Sequence, residues 1–248
     1  MLVDTRAVVL RTIPFSESSL IVTLLTEKHG KTALMARGAR RNKNRFGGLL
    51  QSGALLECSY YYKSTREVQN LSKVAQIQPT WRIMEHLPRM AISMATLETV
   101  EQLCHEHEPM PAVFDFLEKL LTWLHESPHD PSNLFPYILC RLATLAGVGL
   151  QQDTGLSTSE PDAPILCYLN IESGTLAQLP EGGLYVRLNE SQSNYMRCAA
   201  DGSRGKLLKL AIGREDLRSL TAHLDTYLQY HVEGMRSRRS DTIFEQIL

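Results

Sequence analysis

Five short runs fill the first third of the chain between Ala7 and Gln78: AVVLRTI, SLIVTLLT, KTALMARG, ALLECSYYY and EVQNLSKVAQI. Each is rich in residues that favour pleated backbone, and turn formers separate them. Pro14 and Ser16 follow the first run, His29-Gly30 reads as a tight turn after the second, and Asn42 to Gly48 reads as a longer loop before the fourth. Five strands packed into about 75 residues suit a small closed barrel better than an open sheet.

After Pro79 the apolar spacing changes to a helical period. Met90, Met94, Leu97, Val100 and Leu103 or Cys104 recur at threes and fours, and Val113, Phe116, Leu117, Leu120, Leu121 and Leu124 repeat the pattern behind Pro111. A third helix is predicted from Asp130 or Ser132 through Leu139, Leu142 and Leu145 to the breakers Gly147 and Gly149. Two more helical stretches are predicted, Leu207 to Ile212 and Leu217 to His231. The expected fold class is therefore α+β multidomain. An N-terminal five-stranded OB-fold barrel over residues 1–79 is followed by an α-helical domain over 80–248, with 151–205 a small irregular insertion. Within it ILCYLNI and TLAQL form one hairpin around Ser173-Gly174. An SH3-like barrel is the structural competitor for the first domain.

Charge is divided as sharply as structure. Lys and Arg number 26 and Asp and Glu 27, yet residues 1–79 hold twelve basic and five acidic side chains. Seven of those cations lie between Lys28 and Arg45 with no acid among them: Lys28, Lys31, Arg37, Arg40, Arg41, Lys43 and Arg45. A polyanion is the natural partner, since each neutralised phosphate releases condensed counterions, and the interspersed glycines permit close backbone approach. The cations are therefore expected to project together on one outward patch. With 43% hydrophobic and 21% charged residues the remainder is ordinary globular protein rather than disordered chain. No run of about 18 apolar residues occurs, and the start MLVDTRAVVLRT is unlike a signal peptide, so a cytoplasmic protein with no membrane association is expected.

The segments AVVLRTIPFSESSLIVTLLTEKHGK, GARRNKNRFGGLLQ, YYYKS and EVQNLS, in this order and spacing, resemble the N-terminal barrel of the RecO family of DNA repair and recombination mediators. Arg141-Leu142 ahead of Leu145 and Gly147, and LQYHVEGMRSR, resemble the family's later helices, though the likeness is strongest up to about Leu71. The resemblance implies a bacterial, nucleoid-associated protein that is not an enzyme. It implies binding to ssDNA and dsDNA, annealing of complementary strands and, with RecR, help for RecA in replacing single-strand-binding protein. By matching positions it points to Lys31, Arg37, Arg40, Arg41, Lys43 and Arg45 for phosphate contact. Phe46 is carried with them as a stacking or loop-anchoring ring. For the C-terminal tail of single-strand-binding protein the matching positions are Arg141, whose guanidinium suits a carboxylate, and the apolar Leu145.

Tyr60 and Tyr62 share one strand face and Tyr61 the other, and the core position is expected for Tyr61. Many family members carry a four-cysteine zinc site after the third helix. Here only Cys167 and Cys198 fall in that region, short of the four ligands that tetrahedral zinc takes, so no metal and no cofactor are expected. His105 and His107 point to different helix faces and are read as solvated or capping residues. No nucleophile, paired acid and base, or phosphate-cradling motif suggests catalysis. The alternative reading is an RNA-binding translation or ribosome-associated factor built on the same barrel.

Overall fold

In the computed structural model the described residues are 1–41, 46, 48–152, 167–180, 182–200, 202 and 204–241. They form two compact units, one of Met1–Pro128 with Arg238–Ser240 and one of His129–Ser237 with the residues after Ser240.

The first unit opens with β1 (Leu2–Pro14), β2 (Leu20–Thr26), β3 (Gly30–Ala36), β4 (Leu55–Tyr61) and β5 (Val68–Gln78). These close into a barrel in the order β1-β2-β3-β5-β4, the OB-fold that the spacing predicts. β1 serves two neighbours because it is long. Its first half pairs with β4 (Leu2↔Tyr61 to Val8↔Leu55) and its second with β2 (Ala7↔Thr26 to Pro14↔Leu20), with a register shift between Val9 and Arg11 that re-aims the strand. Closure comes from a short parallel pairing, Ala33↔Val68 to Met35↔Asn70. Strand alternation puts Val9, Val22, Leu24, Leu34, Leu56 and Leu71 inside. Gln69, fully buried, accepts from the Lys63 amide at 2.9 Å and donates to the Lys63 and Arg66 carbonyls at 2.9 and 2.7 Å, so the β4–β5 turn is closed without an orphaned amide.

The tyrosine expectation is corrected. Tyr60 is the core residue, 0% exposed, while Tyr61 is 53% exposed. The Tyr60 hydroxyl reaches His29 Nδ1 at 2.6 Å and burial pushes the phenol up to about 12; Tyr62 stacks on the His29 ring at 4.4 Å. Burial holds His29 itself below the ordinary histidine range, with His107 and Lys28 acting in the same direction. The His29-Gly30 turn is thus seated on aromatic rings through His29.

Three helices complete this unit: α1 (Trp81–Met84), α2 (Leu87–Leu103) and α3 (Pro111–Glu126), the last two carrying Pro in the first turn, where the missing amide costs nothing. α3 buries Val113, Phe114, Leu117, Leu120, Leu121 and Leu124; Phe114 rather than Phe116 takes the inner position. In α2 the expected apolar stripe is buried at Leu97, Val100, Leu103 and the C-cap Cys104 but not at Met94, which is exposed, and Ala91, Ile92, Ala95, Thr96 and Thr99 are buried as well. Small and hydroxylated residues line several faces of a helix that is packed on more than one side, so no single stripe marks it. Arg6 ties α3 to the barrel: Nη1 donates to both oxygens of Glu118 at 2.7 and 2.8 Å, and Nε and Nη2 donate to Glu27 at 3.2 and 2.9 Å. The segment Arg238–Ser240 also belongs here. Its amides at 239 and 240 donate to Glu98 at 2.8 and 3.0 Å, and these bonds outweigh the burial that would raise the carboxyl, leaving Glu98 below its ordinary value.

The second unit contains α4 (Phe135–Leu145), entered by one 3-10 turn over Ser132–Leu134. Its end is fixed by Gly147 at φ +83, with the Val148 amide on the Ala143 carbonyl (2.9 Å) and the Gly147 amide on Thr144 (3.1 Å). That is a glycine-terminated Schellman stop. β6 (Gln151–Gln152), β7 (Cys167–Asn170), β8 (Thr175–Ala177) and β9 (Tyr185–Leu188) make a four-stranded sheet in the order β6-β8-β7-β9, which contains the predicted hairpin. α5 (Glu190–Ala200) replaces part of the stretch expected to be irregular. α6 (Arg204–Lys209) and α7 (Arg214–His231) follow. Tyr195 of α5 donates to the Asn133 carbonyl at 2.5 Å and accepts from the Tyr137 amide at 3.1 Å, and Tyr227 of α7 donates to the Val148 carbonyl at 2.7 Å. No helix among the described residues is long and apolar enough to cross a membrane.

Candidate nucleic-acid interface

Among the described residues the cations do not form one patch. In β3 the even-numbered residues Thr32, Leu34 and Ala36 are buried and the odd ones face outward, so Lys31 and Arg37 share a face but stand at opposite ends of the strand, roughly 20 Å apart. Lys31 is engaged by protein. Its ammonium donates to the Glu101 carbonyl at 2.9 Å and lies 3.7 Å from Glu106, with only 15% of its side chain exposed. Lys28 donates to the Asp4 carbonyl at 2.6 Å. Lys43 and Arg45 lie outside the described residues.

At the other end of β3 the chain turns through Arg37 to Arg41, with Gly38 at φ +75 and the Arg41 amide on the Gly38 carbonyl at 3.1 Å. Arg37, Arg40 and Arg41 are all exposed there. This turn sits against the tip of the β1–β2 hairpin, residues 15–19. Arg40 makes the junction: its amide donates to the Ser18 carbonyl at 3.0 Å and Nη1 to the Ser16 carbonyl at 2.6 Å. A guanidinium carries five N–H donors, so this bond leaves others for a ligand. Between hairpin tip and turn lies an open depression of about 400 Å³, lined by Phe15, Ser16, Ser18, Ser19, Met35, Arg37, Gly38 and Arg41.

Phe46 has a different place from a stacking ring. At 1% exposure it belongs to the barrel core with Leu50, Ala54 and Leu56, so its face is closed to a base, and packing supports the anchoring reading. Phe15, on the β1–β2 hairpin, is by contrast an exposed aromatic, and it is not among the residues expected from the sequence. Nothing in its spacing marks it, since a lone aromatic between Pro14 and a run of serines lies outside any periodic pattern.

In the second unit, Arg141 is exposed on α4 and Leu145, one turn on and on the same face, is half-buried. Ile138, Leu139 and Leu142 of the same helix are in the core. Among the described residues the Arg141 guanidinium makes no ion pair. Nor do three His, Cys, Asp or Glu side chains converge among them as metal ligands. Cys167 is buried and its thiol donates to Ser193 Oγ at 3.3 Å; burial raises that thiol.

A barrel closed in this order, with arginines and serines gathered where β1 turns into β2, defines an OB-fold protein joined to a helical region. The chain belongs to the RecO family of DNA repair proteins. Residues 1–80 match the family model "Recombination protein O N terminal" and residues 84–240 match "Recombination protein O C terminal". Relatives called DNA repair protein RecO include one from Salinibacter ruber, 30% identical across 99% of this chain and 94% of its own length. Another, from Chloroherpeton thalassium, is 26% identical across all of both chains, and one from Anaeromyxobacter dehalogenans is 29% identical across 94% of each. The family places the protein in DNA repair and recombination.

Proposed function

We propose that the protein is a non-enzymatic recombination mediator that binds ssDNA and dsDNA through the barrel, anneals complementary strands and, with RecR, helps load RecA onto DNA coated with single-strand-binding protein. The observation that carries this reading is the exposed trio Arg37, Arg40 and Arg41 around the β1–β2 hairpin, with Lys43 and Arg45 following in sequence. Phosphate neutralisation by such groups binds either form of DNA without reading sequence. Annealing follows from the same physics, because strands held loosely by cations repel one another less while their base edges stay free to pair.

Salt titration tests it. With four to six phosphates engaged, log affinity for ssDNA should fall with log salt at a slope of about −3 to −4, and replacing Arg37, Arg40 and Arg41 together by Ala should flatten it by about 2. Lys31→Ala should leave the slope where it is, because that ammonium already has protein partners. The triple variant should also slow annealing and RecR-assisted RecA assembly on DNA coated with single-strand-binding protein. A wild-type slope near zero, or tighter binding to matched RNA than to DNA, would sink the reading and promote an RNA-binding factor.

For partner contact we place the acidic tail of single-strand-binding protein on α4, its terminal carboxylate at Arg141 and its apolar side chains at Leu145. Truncating a charge-assisted, carboxylate-binding arginine typically costs about 1.5 to 3 kcal/mol, so Arg141→Ala should weaken binding of a tail peptide about 10- to 100-fold in a fluorescence-anisotropy titration. Equal affinity of wild type and variant would remove Arg141 from the tail site.

A further inference from the structure

We infer that Phe15 is a stacking platform for an unpaired nucleobase, and that it is the element by which the barrel prefers single strands to duplex. This deepens the reading of the same interface and rests on it. Four features converge on the inference. Phe15 is 60% exposed, so the ring covers no core and its apolar face is offered to solvent. The ring is also held: Pro14 precedes it in β1, the Phe15 amide donates to the Ser19 carbonyl at 3.1 Å, and Arg40 grips the tip through both Ser16 and Ser18. A ring presented by a clamped hairpin gives up little conformational freedom on binding.

Its surroundings supply the other two features. Phe15 lines the same depression as Arg37 and Arg41, so an apolar face and two cations share one concavity. The single acid of the tip, Glu17, is exposed and does not line it. Ser16, Ser18 and Ser19 add hydroxyls that donate or accept with equal ease, which suits a base edge of any identity. An apolar ring beside guanidinium groups and adaptable hydroxyls matches a nucleotide, with its planar apolar face, its anionic phosphate and its polar edge. The base must be unpaired, because in duplex both of its faces are already covered by neighbouring bases. The arginines bind strands of either kind; the ring adds affinity only where a base is free.

The test compares oligodeoxythymidylate, an abasic oligonucleotide of equal length and a duplex, each titrated at fixed salt and across salt against wild type, Phe15→Ala and Phe15→Trp. Wild type should prefer the base-bearing strand to the abasic one by about 5- to 100-fold, the fold-range equivalent to one stacked base. Phe15→Ala should abolish that preference, keep abasic and duplex affinities within about twofold and keep the salt slope, while Phe15→Trp should restore the preference. Phe15→Ala with a wild-type preference overturns the inference, as does an equal loss on all three ligands. Failure of the underlying interface looks different: the wild-type salt slope itself would be flat.

Discussion

Gly30→Ala is expected to destabilise the first unit by more than about 3 kcal/mol, the scale reached when a left-handed backbone and a steric clash coincide. Gly30 stands at φ +62, and a Cβ there would lie 1.8 Å from the Glu108 carbonyl oxygen and 2.4 Å from its carbon. The obstacle is backbone, which no rotamer change can remove. Nor can the segment easily retreat, since the His107 amide donates to the Lys31 carbonyl at 2.9 Å and the Lys31 ammonium to the Glu101 carbonyl. Urea unfolding followed through Trp81 and Trp123 fluorescence reads the loss. A midpoint equal to that of wild type would show that the contact between the start of β3 and residues 106–109 is not rigid.

Phe46→Ala should rank beside it, costing about 3 to 5 kcal/mol by opening a cavity in the barrel core. Phe46→Leu keeps most of the volume and should cost no more than about 1.5 kcal/mol. The pair of variants separates anchoring from stacking. If the ring anchors, the leucine variant retains wild-type affinity for single strands at temperatures where it is folded. A stable Phe46→Leu protein with a large loss of affinity would instead return the ring to the interface.

Much of this architecture was legible in the chain because each barrel strand carries its own evidence, alternating residues closed by turn formers, and because Pro111, Pro136 and Gly147 mark helix ends by local chemistry. What escaped had a non-local cause. Tyr60 and Tyr61 cannot be ranked without knowing which face of β4 looks inward, and that is set by pairing with β1 and β5. Met94 looked like core because a stripe was assumed, whereas α2 is packed on more than one side with small residues. α5 is a different kind of miss, since its signal is local. Asn189 and Gln192 exchange hydrogen bonds, the Gln192 amide on Asn189 Oδ1 at 2.9 Å and the Asn189 amide on Gln192 Oε1 at 3.1 Å. This is a reciprocal helix start written plainly in the sequence Asn-Glu-Ser-Gln.

At the candidate site the sequence located the cations but not their occupancy. Lys31 and Arg37 are six residues apart in one strand and equally basic on paper, yet one faces Glu101 and Glu106 and the other faces solvent. Those partners, the Glu101 main-chain carbonyl and the Glu106 carboxylate, lie about 70 positions away, beyond the reach of any spacing argument. Phe15 was overlooked for the opposite reason. Its importance comes from exposure, and a single aromatic outside a periodic pattern gives no sign of whether it will be covered.

Because β2 pairs along its whole length with β1 on one side and with β3 on the other, it offers no vacant margin along which another polypeptide could add itself. Aliphatic runs such as SLIVTLLT, which as isolated segments would invite intermolecular pairing, are sequestered on both sides. Recognition at β2 is thereby confined to side chains, and main-chain pairing with partners is withheld there.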